Sequence, residues 1–128
     1  MVRIAVTGLG FMGKTHIGIY QQLESAEVVA LCDDNADSLD IKSLDAGGNI
    51  KASGGEVDFS SVAKYSDFGQ MLKAGGFDAV DLCIPTHKHA EYAVQALEAG
   101  YHVFCEKPLA RSMEDASKIT EAARRTGR

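Results

Sequence analysis

Gly8-Leu9-Gly10-Phe11-Met12-Gly13 follows directly on the apolar run Val2–Thr7 and opens a stretch of helical character. The pattern alone is weak: with 13 glycines in 128 residues, a chance match somewhere in the chain arises about one time in eight. Its position gives it meaning. At a strand-to-helix turn Gly8 would allow the tight bend, and Gly10 would let the backbone approach a pyrophosphate. Gly13 would let the helix pack close to the strand. The free N–H groups of the first helical turn would face the phosphates, with the helix dipole adding to the attraction. A glycine-rich turn without a ligand is the competing reading.

Asp33 ends the second apolar run, 20 residues beyond Gly13. A carboxylate there can accept hydrogen bonds from an adenosine ribose. A free 2′-hydroxyl suits it, whereas a 2′-phosphate would be repelled and would want an arginine. Asp33 and Asp34 stand with no arginine nearby in the chain, so NAD is favoured over NADP. The alternative for Asp33 is a helix N-cap. A methyltransferase that binds S-adenosylmethionine could share both features, so this half of the chain leaves the class open.

These groups need a scaffold, and apolar runs alternate with helical patterns along the chain. After the first run, a helix is expected from Phe11 to about Leu23. Val28–Cys32 is apolar throughout, as in a strand covered on both faces. A weaker helical segment follows Asn35 to about Ala46, then a loop over 47–61, then a short strand near Val62–Tyr65. A helix from Asp67 to Ala74 stops at Gly75-Gly76. Ala79–Ile84 reads as a strand, His87–Ala99 as an amphipathic helix stopped by Gly100, and His102–Cys105 as a fifth strand. Ser112 with Asp115 resembles a capping box for a last helix to about Arg125, with Glu114 and Lys118 spaced for an i,i+4 pair. Alternation of this kind implies an α/β, doubly wound parallel sheet of Rossmann type, about five strands in the order 3-2-1-4-5.

Composition narrows the function. The net charge of −5 argues against nucleic acid, which requires a basic face. No apolar run approaches the roughly 18 residues that span a bilayer, and the N-terminus enters a strand-like run at once rather than a signal peptide. A cytoplasmic protein is expected, with no membrane partner. Cys32, Cys83 and Cys105 are odd in number and lack metal-ligand spacing. They read as reduced buried thiols, with no metal; a zinc site drawing Cys83 or Cys105 together with His87 or His89 is the disfavoured alternative.

The second half of the chain supplies the specific signal. Ile84-Pro85-Thr86-His87-Lys88-His89 and Glu106-Lys107-Pro108, with the glycine motif, His16 and Asp33, resemble the glucose–fructose oxidoreductase and inositol dehydrogenase (Gfo/Idh/MocA) family over nearly the whole chain. The resemblance implies an enzyme that moves a hydride between nicotinamide and a carbinol carbon of a sugar, polyol or related compound. By position, Gly8, Gly10, Phe11, Met12 and Gly13 would embrace the pyrophosphate and Asp33 the ribose. Ile84, Pro85, Thr86 and His89 would border the nicotinamide half, and Glu106 and Lys107 would lie by nicotinamide and substrate. Lys107 is the residue most tied to chemistry, since an ammonium near the reacting hydroxyl stabilises developing alkoxide character and can help pass a proton.

Simpler roles compete. His89 could merely begin its helix, with Thr86 as N-cap; His16 could only pack; His87 and Lys88 would face solvent. A cis Lys107–Pro108 bond is also expected from the resemblance. Family members continue into a sixth strand and a second α/β domain that supplies an Asp–His pair, most of the substrate pocket and the subunit interface. Residues 1–128 are therefore expected to be the dinucleotide-binding domain of a longer, homo-oligomeric enzyme, binding NAD less tightly by itself and turning over essentially nothing. A non-catalytic NAD-binding sensor or scaffold is the runner-up.

Overall fold

The computed structural model describes residues 1–41 and 59–128. Among these residues, five strands form one sheet: β1 (Val2–Thr7), β2 (Ala26–Cys32), β3 (Ala63–Tyr65), β4 (Ala79–Leu82) and β5 (His102–Cys105). Their order is β3-β2-β1-β4-β5 and every pairing is parallel, as expected. The chain lays β2 and β3 outward on one side of β1, then crosses to place β4 on the other. Connections leaving β1 and β4 therefore diverge, and a crevice opens at their carboxyl ends.

Side-chain alternation assigns the two faces of the sheet. Ile4 and Val6 of β1 pack with Leu9, Ile17 and Leu31 on the face covered by α1 (Phe11–Tyr20). Ala5 points the other way, into the larger core with Val80 and Leu82 of β4. Phe68 and Met71 of α2 (Phe68–Ala74), Ala93 and Leu97 of α3 (Thr86–Glu98), and Ile119 of α4 (Met113–Thr126) close that core. Each of the larger buried side chains contributes about 1.5–3 kcal/mol. Among the described residues no helix is long and apolar enough to cross a membrane.

Helix ends follow local chemistry. Asp67 caps α2 by accepting from the Gln70 N–H, and Ser112 caps α4 by accepting from the Asp115 N–H. Glu114 and Lys118 form the anticipated pair at 2.9 Å. α1 stops at Tyr20, short of the expected Leu23, because the next N–H groups of Gln22 and Leu23 bond three residues back and tighten the chain into a turn. The helix expected after Asn35 is a 3-10 turn over Ala36–Leu39. Residues 42–46 of that segment, and the 47–61 loop up to residue 58, lie outside the described residues. α3 begins one residue early, so Thr86 is its first residue and Pro85 its N-cap.

Candidate functional site

Register brings the chemistry together. Thr7 pairs with Cys32 on one side and Leu82 on the other, and Leu82 pairs with Cys105. The next residue on each strand, Gly8, Asp33, Cys83 and Glu106, therefore emerges on one rim of the sheet. The ladder persists one step into these connections: Gly8 N–H donates to Cys32 O (2.8 Å), Cys83 N–H to Thr7 O (2.8 Å) and Glu106 N–H to Leu82 O (3.1 Å).

The glycine turn is built as its spacing suggested. Gly8 has φ +88°, and a Cβ there would strike the Cys83 carbonyl. A Cβ on Gly13 would collide with the Gly8 carbonyl oxygen, so the third glycine lets α1 close on its own entry turn. A Cβ on Gly10 would meet nothing within 4 Å, because that position faces open space. Gly10 is the N-cap of α1 and supplies no side-chain acceptor. The first N–H groups of α1 are thus left for whatever fills the space before them.

Asp33 seals the other side. Its Oδ2 accepts from the Leu9 N–H at 2.7 Å and its Oδ1 from the Asn35 N–H at 2.9 Å. It is not a helix N-cap; Asn35 caps the 3-10 turn instead. Between Asp33, the glycine turn and Ile84-Pro85 lies a cleft of about 450 Å³. Phe11, Met12 and Thr7 contribute to its wall, and the buried Thr7 Oγ1 has no hydrogen-bond partner among the described residues. Uncapped amides beside a carboxylate with acceptor capacity to spare suit a guest that carries both an anionic group and hydroxyls. A second groove, about 550 Å³, runs between α3 and α4 past Glu91, Gln95 and Lys118, with no strand end in its wall.

Lys88 departs from expectation. Rather than facing solvent, it lines the cleft, forms an ion pair with Asp34 at 2.8 Å and lies 5.9 Å from the Tyr92 ring centre. That hydrogen bond holds the Asp34 carboxyl below, and the Lys88 ammonium above, its usual range. Only the tertiary approach of α3 to the end of β2 reveals this contact. His87 is exposed.

His89 is 1% exposed and does not reach the cleft wall. Its Nδ1 lies 2.9 Å from Pro108 O and its Nε2 2.8 Å from Ile84 O. The ring therefore ties the turn after β4 to the turn after β5. Thr86 opens α3 above it. The Lys107–Pro108 peptide is cis and Lys107 is exposed.

A buried polar cluster lies next to this rim. Asp81, 1% exposed, sits on the α1 face of β4. Its Oδ2 accepts from Tyr20 Oη–H (2.8 Å) and lies 2.8 Å from His16 Nδ1, while the Cys83 thiol donates to Oδ1 (3.5 Å). Burial first, then Asp81, raises both the Tyr20 and Cys83 ionisations well above their ordinary values. Burial also pushes Cys32 up to about 12 and Cys105 to about 11. One ligand atom from each of His16, Asp81 and Cys83 lies within 4.8 Å of the others, but the thiol keeps its proton and the set is already joined by hydrogen bonds. Asp81 escaped the sequence reading; its signal was a lone carboxylate inside an apolar strand, which burial obliges to find donors.

The sheet order, the crevice at its switch point and the glycine turn facing a carboxylate define a nucleotide-binding α/β domain. The chain belongs to the oxidoreductase family GFO_IDH_MocA, described as having an NAD-binding Rossmann fold, whose model matches residues 2–128. It is 34% identical over 128 residues to inositol 2-dehydrogenase of Klebsiella pneumoniae (strain 342), covering 99% of this chain and 34% of that protein. It is 31% identical to D-glucoside 3-dehydrogenase of Escherichia coli (strain K12), covering 99% and 33%. The WlbA dehydrogenase of Bordetella pertussis, solved with NADH and UDP-GlcNAcA, superposes with TM-score 0.80 at 29% identity, covering 98% of this chain and 35% of that one. The chain thus spans about a third of the length of the curated relatives it matches.

Proposed function

We propose that this chain holds NAD for an oxidoreductase that moves a hydride between nicotinamide and the carbinol carbon of a sugar, polyol or related small molecule. The observation that carries the reading is the cleft in which Asp33 and the uncapped start of α1 face each other across Gly8–Gly13. Gly8, Gly10, Phe11, Met12 and Gly13 form the pyrophosphate cradle. Asp33 takes the adenosine ribose, and its negative charge disfavours a 2′-phosphate. Ile84, Pro85 and Thr86 border the nicotinamide half, with His89 fixing their turn from beneath.

Bound nicotinamide supplies the hydride acceptor or donor. Lys107 supplies the polar chemistry: its ammonium stabilises charge developing on the reacting oxygen, and Glu106 beside it shapes that field. The longer enzyme takes its substrate pocket, its remaining proton-transfer groups and its oligomer interface from residues beyond this domain, and works in the cytoplasm.

Two measurements test this reading. Titration of the chain with NADH, NADPH and S-adenosylmethionine should show NADH binding most tightly; preference for S-adenosylmethionine would overturn it. In the full-length protein, Lys107→Ala should lower turnover on responsive sugars or polyols by about 10²-fold or more, the scale of acid–base and electrostatic catalysis. NAD affinity should change little. Undiminished turnover would leave a cofactor-binding module whose lysine has no chemical task.

A further inference from the structure

The Asp81 cluster has a second end. His16 Nε2 lies 3.4 Å from Glu106 Oε1, so a chain of polar contacts runs from Tyr20 through Asp81 and His16 to the residue beside Lys107. We propose that His16 is a positioning residue for Glu106, held in one orientation by Asp81 and Tyr20 so that its Nε2 sets where the Glu106 carboxylate stands. This rests on the cofactor reading above.

The geometry carries this in three steps. First, Asp81 is an acceptor for all its neighbours: the raised Tyr20 and Cys83 ionisations keep the phenol and thiol as donors. The third partner is His16 Nδ1, 2.8 Å from the acceptor-only carboxylate and 3.3 Å from Cys83 Sγ, and the shorter contact with Asp81 calls for the ring proton there. That fixes the tautomer and points Nε2 outward.

Second, His16 Nε2 and Glu106 Oε1 lie 3.4 Å apart, within reach of an ion pair, so the place of one constrains the place of the other. Third, the ring is confined. Phe104, 55% exposed, lies against it with centroids 5.6 Å apart at 34°, and Tyr20 meets it edge-on at 6.3 Å. An aliphatic residue at 81 would fill this face without burying a charge. The carboxylate instead spends its acceptors on orienting an imidazole whose free end meets the rim.

A purely structural cluster would only pin α1 to the sheet, and the side-chain isosteres separate the two roles. Asparagine places a nitrogen near the His Nδ1 position, and glutamine near Nε2. On the intact protein, affinity for NADH and for ADP-ribose, which lacks the nicotinamide, is measured by titration for wild type and variants. His16→Asn should weaken NADH about fivefold to tenfold, equivalent to about 1 kcal/mol, with ADP-ribose changed less than about twofold. Glu106→Gln should match that loss, and the double variant should bind no worse than either single, as coupled groups do. His16→Gln should recover most of the NADH affinity.

Equal loss for both ligands, unchanged NADH affinity, or additive losses in the double variant would overturn the proposal. Should His16→Asn fail to fold, imidazole ¹⁵N spectra of histidine-labelled protein decide. The His16 Nε2 resonance must move in Glu106→Gln while Nδ1 stays protonated; an unmoved Nε2 overturns the proposal. Wild type that binds neither ligand would instead sink the cofactor reading itself.

Discussion

The Asp33 carboxylate accepts the backbone N–H of Leu9 at 2.7 Å, joining the end of β2 to the glycine turn across 24 residues of sequence. One side chain thus shapes the glycine turn and lines the cleft beside it. Asp33→Asn keeps an acceptor for Leu9 but removes the charge. NADH affinity should fall about tenfold, roughly one charge-assisted hydrogen bond, and the preference over NADPH should narrow. Asp33→Ala should additionally lower stability by about 1–3 kcal/mol, because the Leu9 N–H loses its partner. Parallel NADH and NADPH titrations, with urea unfolding of both variants, check this pair of outcomes.

Gly13 and the Gly8 carbonyl are in such close approach that no Cβ fits between them. Gly13→Ala must move backbone rather than a side chain, so unfolding free energy should drop by about 1–3 kcal/mol with loss of NADH binding. Gly10→Ala meets open space and should keep the fold while reducing affinity, since its methyl enters the cleft. Equal destabilisation by the two substitutions would contradict this account.

His89 joins the turns that follow β4 and β5 through two carbonyls. His89→Ala removes both contacts and leaves a void in a fully buried position. A loss of about 2–4 kcal/mol is expected, read from denaturant midpoints. Direct loss of NADH affinity without any loss of stability would instead place the ring at the ligand.

Asp78 sits at the opposite end of the sheet, where it accepts from the Arg3 guanidinium at 2.8 Å and from the Arg3 N–H at 2.8 Å. Arg3 holds its carboxyl down at about 2. A depressed folded value means the carboxylate stabilises the fold above its unfolded value near 4. That contribution fades as pH falls from there through about 2. Asp78→Asn should therefore lower the thermal midpoint at pH 7 and make progressively less difference toward pH 2, followed by melting curves across that range.

The three thiols are held in their protonated, unreactive form, Cys32 and Cys105 at about 12 and 11 and Cys83 higher still, chiefly by burial. Since the thiolate is the nucleophile, iodoacetamide at pH 8 should leave native protein essentially unmodified and alkylate all three cysteines in urea. Rapid native labelling of Cys83 would show that burial, with Asp81 beside it, does not hold its thiol proton.

Short-range chemistry in the chain determined the elements and the site's outline. The period-2 and helical patterns, Gly75 and Gly100 as stops, and Ser112 as a cap specify strands and helices within a few residues, because each depends on neighbours in sequence. The glycine turn and Asp33 were legible for the same reason, since one strand-to-helix turn and one strand end carry them. What the amino-acid order could not disclose depends on parallel register and on which face a strand presents. Register set Gly8, Asp33, Cys83 and Glu106 on one rim. The approach of α3 to β2 turned Lys88 toward Asp34, and burial set His89 between the turns that follow β4 and β5. Asp81 and His16 are 65 residues apart. No local pattern links them; only the packing of α1 on the sheet, which leaves a buried carboxylate no water to turn to, brings them into contact.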